Sequence, residues 1–403
     1  MKPFFEPSLS HERPARSVGL ALFLALPIGS AAASFQRLGG LQGGSAQFSK
    51  PSDISADGSV VVGRSLSSNG MEAFRWTAIG GMQGLGGLGG EPFLSEARSA
   101  SANGLVVVGI SSSPLSGERT EAFRWTEASG MIGLGDLAGG EYFSGASVVS
   151  EDGGIVFGTS TSFFSTFTGE CFRWTEATGM LPIGALPGIP KPTCVTNGSS
   201  RDGSVVAGWS SSPKGLQAFR WTESGGMIGL GDLPAGPFHS RANDVSGDGN
   251  VLVGSATNPG TTSFRWTLET GMVDLGRPAG ASLSAAYAAS ADGSIVVGDA
   301  GISGDLVPTI WNVSNGMRNL VDVLVELGLG PQFQGWDLEQ ATAISADGLV
   351  IAGWGYNPDG REEAWVVNLG QPSVVEIPTS SNATLVLLAA LLGVAALVLL
   401  RFR

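Results

Sequence analysis

The 403-residue chain is poor in the side chains that most chemistry requires. It has two histidines, His11 and His239, and two cysteines, Cys171 and Cys194. His11 falls in a leader-like segment, so a histidine-built metal site or a Ser–His nucleophile has one imidazole to draw on. No Gly-x-Ser-x-Gly elbow, Cys-x-x-Cys, paired-carboxylate motif or phosphate loop stands in a recognisable context. The sequence therefore points to no catalytic residue, metal ligand or cofactor site, and so to no enzyme. Charged residues are only 14% and the formal net charge is −13, which leaves no basic footprint for nucleic acid. Two cysteines are too few for a disulfide scaffold. In an oxidising compartment, a single bridge between Cys171 and Cys194 is the default reading.

What is abundant is glycine, at 62 residues, in a chain that is still 42% hydrophobic. That combination fits neither collagen nor disorder and points to many tight turns between short strands. One phrase recurs: Ala73-Phe74-Arg75-Trp76-Thr77, then Ala122 to Thr126, Cys171 to Thr175, Ala218 to Thr222 and Ser263 to Thr267. Two weaker copies keep only the tryptophan. The series Trp76, Trp125, Trp174, Trp221, Trp266, Trp311 and Trp365 marks a repeat of about 48 residues.

Each unit carries three further phrases. A Ser-x-Asp-Gly turn (Ser55 to Gly58, Ser150 to Gly153 and their equivalents, with Asn103 in place of Asp in one copy) is a strong hairpin signal. A β-branched run such as Val60-Val61-Val62-Gly63 follows and reads as a buried strand. After the Phe-Arg-Trp strand comes a short fourth strand, as in Gly130-Met131-Ile132-Gly133. Two hairpins per unit make a four-stranded antiparallel sheet, the size of a propeller blade. Phe35 to Leu41 reads as a fourth strand with no blade of its own, and the last unit lacks one. The predicted fold is thus an all-β, seven-bladed propeller over residues 34–369, closed by its N-terminal strand, with a helical insertion at Leu320 to Leu327.

Phe and Trp alternate on one strand face and are expected to pack blade on blade. Arg75, Arg124, Arg173, Arg220 and Arg265 should reach carbonyls or carboxylates near the blade face, since an unpaired buried guanidinium is costly. Asp57, Asp152, Asp202, Asp248, Asp292 and Asp347 form turns; one carboxylate per hairpin is too few for calcium. The loops between second and third strands vary most and share a rim with the inter-unit crossings. Trp209, Trp354 and His239 lie in or next to these segments, where any binding is expected.

The chain ends read as addresses. Lys2, Arg13 and Arg16, then an apolar core from Val18 to Ile28 and Ala31-Ala32-Ala33, make residues 1–33 a secretory signal peptide, with cleavage between Ala33 and Ser34. Residues 370–382 form a linker, and residues 383–403 an apolar transmembrane helix ending in Arg401-Phe402-Arg403, which keeps the repeats outside the inner membrane. A permanent membrane tether is the alternative.

Ile377-Pro378-Thr379, followed by that helix and basic tail, resembles the C-terminal sorting signals of the PEP-CTERM type, in an Ile-Pro-Thr variant. The resemblance implies processing by a membrane-embedded exosortase-like transpeptidase and passage to the bacterial cell surface or medium. The Ala-Phe-Arg-Trp-Thr, Gly-Met-x-x-Leu-Gly and Ser-x-Asp-Gly-x-Val-Val-x-Gly phrases together resemble the HAF family of bacterial extracellular repeats, from about Phe35 to Leu369. That resemblance implies export and repetition and adds no catalytic residue. The expectation is an exported, non-enzymatic surface or secreted protein that contacts extracellular polysaccharide, here exopolysaccharide, or matrix proteins. A propeller-type glycan-active enzyme and a structural surface-layer component are the alternatives.

Overall fold

A computed structural model describes residues 32–44, 48–163, 169–234, 237–258 and 260–370. Within them lie seven four-stranded antiparallel sheets. Blade 1 runs Ser49–Ile54, Val60–Ser67, Gly70–Thr77 and Gly81–Gly84. Blades 2 to 6 begin at Ser95, Ser144, Cys194, Ser240 and Ala281. Blade 7 holds Asp337–Ile344, Val350–Tyr356 and Glu362–Asn368, and its fourth strand is Ser34–Gly39 from the far end of the propeller. The expected signal peptide up to residue 31, the expected sorting motif Ile377-Pro378-Thr379 and the expected C-terminal helix lie outside the described residues. Among the described residues, no helix is long and apolar enough to cross a membrane.

The recurring phrases become recurring contacts. In each turn the serine hydroxyl donates to the aspartate (Ser55 to Asp57, 2.6 Å) and accepts from the next strand's first amide (Val60, 2.9 Å). The aspartate also accepts the Ser59 amide at 3.0 Å. These bonds hold the Asp57, Asp152, Asp202, Asp248 and Asp292 carboxyls below the usual range, although enclosure works against them, most of all at Asp57 and Asp248. The residue after each serine links to the next blade through its backbone. Bonds run Ala56 to Ala102, Ala102 to Glu151, Glu151 to Arg201, Arg201 to Gly247, Asp248 to Ala291, Ala291 to Ala346 and Ala346 back to Ala56, all 2.8 to 3.3 Å. They form a closed collar around the axis.

The glycine that ends the Val-Val-Val-Gly phrase is required by close approach. The first strand bulges beside it, and a Cβ at Gly63, Gly109 or Gly208 would stand 2.1, 1.9 or 1.9 Å from the facing carbonyl oxygen. The Phe-slot ring lies over the same glycine. Phe123 and Trp125 pack against Val60, Val62 and Ala73 of the preceding blade. Arg75, Arg124 and Arg265 donate to the carbonyls of Gly104, Gly153 and Gly293 in the following blade's turn, at 2.8, 3.2 and 3.3 Å.

Blade 7 corrects one assignment. Trp365 pairs with Gly353, the register position that Phe74 occupies opposite Gly63, so it fills the Phe slot. The Trp slot, opposite the residue two earlier, holds Val367. Trp311 keeps the Trp slot in blade 6, opposite Val296, while Thr309 takes the Phe slot. The missing aromatics are made up by the insertion. The helix Leu320–Glu326, capped by the Asn319 side chain, and the 3-10 turn Gly330–Phe333 pack Leu320, Leu324 and Phe333 against Trp365. Phe35 of the closing strand meets Phe333 and Trp336 at ring-centroid distances of 5.7 and 5.4 Å. Arg37 forks onto buried Glu363 at 2.9 and 2.8 Å.

Serines that open the first strands staple blade to blade. Ser95 accepts the Ala73 amide at 2.9 Å and donates to the Gly86 carbonyl at 2.6 Å; Ser144, Ser240 and Ser49 do the same work elsewhere. Cys194 holds this serine position in blade 4, and Cys171 the alanine position in blade 3. The two are joined by a disulfide, with Cα atoms 5.3 Å apart. The bridge is a covalent replacement for the hydrogen-bonded staple. Cys171→Ala with Cys194→Ala should lose roughly 3 kcal/mol. Cys171→Ala with Cys194→Ser should recover about 1 kcal/mol of that by rebuilding the serine staple. Denaturant melts of the two double variants check this, and equal midpoints would refute the equivalence.

Candidate functional site

The seven first strands line the axis, with the collar at one end. At the other end, at five of the blade boundaries, one residue of a second strand meets one from the next blade's first strand. These meetings are Arg64 with Glu96, Trp209 with Arg241, Asp299 with Gln340, Trp354 with Lys50, and Ile110 beside Gly145. At Thr159 the hydroxyl instead donates to the Cys194 carbonyl at 3.3 Å. The same register position at these interfaces thus carries different chemistry, whereas the scaffold positions repeat.

Blades 6, 7 and 1 carry a continuous polar chain at this mouth. The Tyr287 hydroxyl donates to Asp299 at 3.2 Å, and the Gln340 amide donates to the same carboxylate at 2.6 Å. The Trp354 indole donates to Gln340 at 3.0 Å. Lys50 lies over the Trp354 ring, 3.5 Å from its centroid, and pairs with Glu362 at 3.2 Å. Tyr356 stands edge-on to Trp354 at 6.2 Å and is exposed. Burial pushes the Asp299 carboxyl up, against the two hydrogen bonds that favour its charged form. Glu339 is also pushed up, by burial first and then by Asp337 and Asp305.

On the opposite arc, Arg64 and Arg98 share Glu96, at 2.8 and 3.8 Å. The Arg241 guanidinium lies over the Trp209 ring, 5.0 Å from its centroid, and its Nε is buried without a hydrogen-bond partner. Below the mouth, cavities of about 270 and 130 Å³ follow the axis, lined by Ser52, Asn197, Asn243, Tyr287 and Thr342, with Arg98 in the smaller one.

Two carboxylates lie deeper, Asp53 and Asp244. Asp53 accepts the Ile54 and Ala100 amides at 2.8 and 2.9 Å, and Asp244 accepts the Ala289 amide of the following blade at 2.9 Å. They are struts between inner strands. Enclosure outweighs these bonds and pushes Asp53 to about 6 and Asp244 to about 7, the latter also through repulsion from Asp53.

The sequence points to the variable rim loops as the place for any binding; the first and second strands carry unit-specific side chains as well. Sequence reasoning singled out Trp209 and Trp354, which the fold brings to one mouth, but missed Lys50, Arg98 and Arg241. His239 lies apart, its amide donating to Asp232 and its backbone bridging to Leu216. Among the described residues, no group of three or more His, Cys, Asp or Glu side chains could hold a metal ion.

The sequence matches no family model and no curated protein. Solved structures share the fold. An oligogalacturonate lyase in complex with manganese aligns at a TM-score of 0.53 and 14% identity, over 85% of this chain and 98% of its own. The oligogalacturonate lyase of Vibrio parahaemolyticus aligns at 0.51 and 11%, over 84% of this chain and 97% of its own. A prolyl endopeptidase aligns at 0.53 and 10% over 84% of this chain, which spans 50% of the peptidase's length. At these identities the likeness is one of fold.

The axial carboxylates set a pH dependence. Folding raises both above the unfolded value, so the folded state holds protons that the unfolded chain has released. Their contribution is full below about pH 4 and is lost as pH rises through about 6 to 7. Thermal melts should shift down by several degrees between pH 4.5 and pH 8. The combined Asp53→Asn and Asp244→Asn variant should flatten that slope, and an unchanged slope would refute the assignment.

Proposed function

We propose that this chain is an exported, non-enzymatic propeller that binds extracellular polysaccharide or matrix through the mouth opposite the collar. One observation supports the reading: at the mouth, one register position that the scaffold leaves free carries unit-specific aromatic and charged side chains, Trp354 with Lys50, Trp209 with Arg241, and their polar neighbours. Flat aromatic faces beside hydrogen-bonding groups suit sugar rings, which present an apolar face and a polar edge. The address-like ends support export. Removal of the leader before Ser34 leaves the closing strand, which starts at Ser34, whole. In this reading the Ile377-Pro378-Thr379 motif hands the chain to an exosortase-like transpeptidase.

Two measurements test it. The intact mass of protein recovered from the host envelope and medium should correspond to a start at Ser34 and an end near Ile377. A mass that retains Leu385 to Arg403 would make it a membrane-tethered protein instead. On a column of the host's exopolysaccharide, the protein should be retained at low salt, and Trp354→Ala should weaken retention roughly tenfold. Passage without retention would remove the polysaccharide reading. Concentration-dependent self-association without retention would favour a surface-layer component.

A further inference from the structure

We infer that the ligand at this mouth is an acidic heteropolysaccharide, in which a carboxylate-bearing sugar lies among neutral ones, with Arg98 and Arg241 as its anion-binding groups. The inference rests on the polysaccharide reading and adds the charge of the sugar.

The argument starts from incomplete neutralisation. The protein is acidic overall, at −13, and a guanidinium in a confined site is normally paired. Arg64 and Arg98 nevertheless divide one carboxylate: Glu96 sits 2.8 Å from Arg64 and 3.8 Å from Arg98. Enclosure works against the Arg98 charge, with Glu96 only partly compensating. Arg241 has no carboxylate within 4 Å among the described residues, and its Nε is buried and unpartnered. Its guanidinium lies over the Trp209 ring, 5.0 Å from the centroid, and a guanidinium fork matches a planar carboxylate. Repeat symmetry does not require either arginine. The equivalent of Arg241 is Gly145 in blade 3 and Ala285 in blade 6, and the equivalent of Arg98 is Ser52 in blade 1 and Ser147 in blade 3, so the repeat does not call for either.

The opposite arc limits how much negative charge can enter. Asp299 and Glu339 face the mouth from blades 6 and 7, and Asp53 and Asp244 lie below it. A uniformly charged polyanion would meet these carboxylates, whereas sugar hydroxyls can donate to them. The upper cavity of about 270 Å³ is smaller than the roughly 300–1,000 Å³ of sites that enclose drug-sized ligands. Arg98 lines the cavity of about 130 Å³ beneath it, so the upper cavity suits one terminal or branch residue whose carboxylate reaches down toward Arg98, with the chain running outside. Arg98 on blade 2 and Arg241 on blade 5 can each meet a spaced carboxylate, while sugar hydroxyls meet the carboxylates of blades 6 and 7.

The test uses the purified protein and three probes: the host's exopolysaccharide, the same polymer with its carboxyls chemically reduced to alcohols, and dextran sulfate. Native polymer should bind at least about tenfold more tightly than the reduced polymer, the scale of one charge-assisted contact. Arg98→Gln and Arg241→Gln should each remove most of that difference. Arg318→Gln, at the outer rim beside Glu326, should leave it intact, and melting curves should show all three variants folded. Equal binding of native and reduced polymer, or a preference that survives both arginine variants, overturns the inference and leaves polysaccharide binding standing. Tighter binding of dextran sulfate also overturns it, in favour of non-selective polyanion attraction. If none of the three polymers binds, the proposed function itself fails.

Discussion

Closure of the ring is the constraint on which everything else depends. The collar of backbone bonds returns from Ala346 to Ala56, so the spacing between blades cannot drift without breaking at one of them. Each interface must therefore accept nearly the same geometry, and the sequence repeats where that geometry is set. The serine, aspartate and glycine of the turn, the close-approach glycine and the Phe slot are all interface parts. The last blade takes its fourth strand from the other end of the propeller, so the closing bond is made by strand pairing as well as by the collar. This arrangement leaves no unpaired edge on the third strand of blade 7.

Departures from the repeat show what the interface can tolerate. Between blades 3 and 4, a disulfide stands where serine and backbone otherwise meet. At blade 7, one large ring, Trp365, occupies the space above Gly353 that Phe123 occupies above Gly109. Losing a ring in the Trp slot would leave a cavity, and cavities of that size cost several kcal/mol. The inserted helix and 3-10 turn fill it with Leu320, Leu324 and Phe333 and cover Phe35 at the same time. The irregular unit is thus the one that also has to hold the closing strand.

This explains how much was legible in the sequence. Blade number, strand order and closure followed from phrases that recur because the ring demands it. The register of Trp365 did not, since a lone tryptophan without Phe-Arg before it can be aligned in either slot, and strand pairing decides. The mouth was harder still. Lys50, Arg241 and Gln340 lie in different units and share no phrase. Their kinship appears only when every unit is aligned on its turn serine, which puts each of them five residues before that serine. Arg64, Trp209, Asp299 and Trp354 each follow the close-approach glycine directly. That alignment was available from the sequence alone, but only the fold shows that the two positions meet across a blade boundary.

The same constraint bears on where function can reside. A residue that sets blade spacing cannot change in one unit without being compensated there, as the disulfide and the inserted helix illustrate. The ring at the mouth is free of that demand, because Ile110 beside Gly145 closes the interface as well as Arg64 with Glu96 does. Charged and aromatic side chains there add desolvation cost without being needed for closure. Closure of the ring therefore does not account for their concentration at Lys50, Arg98, Arg241, Trp209 and Trp354.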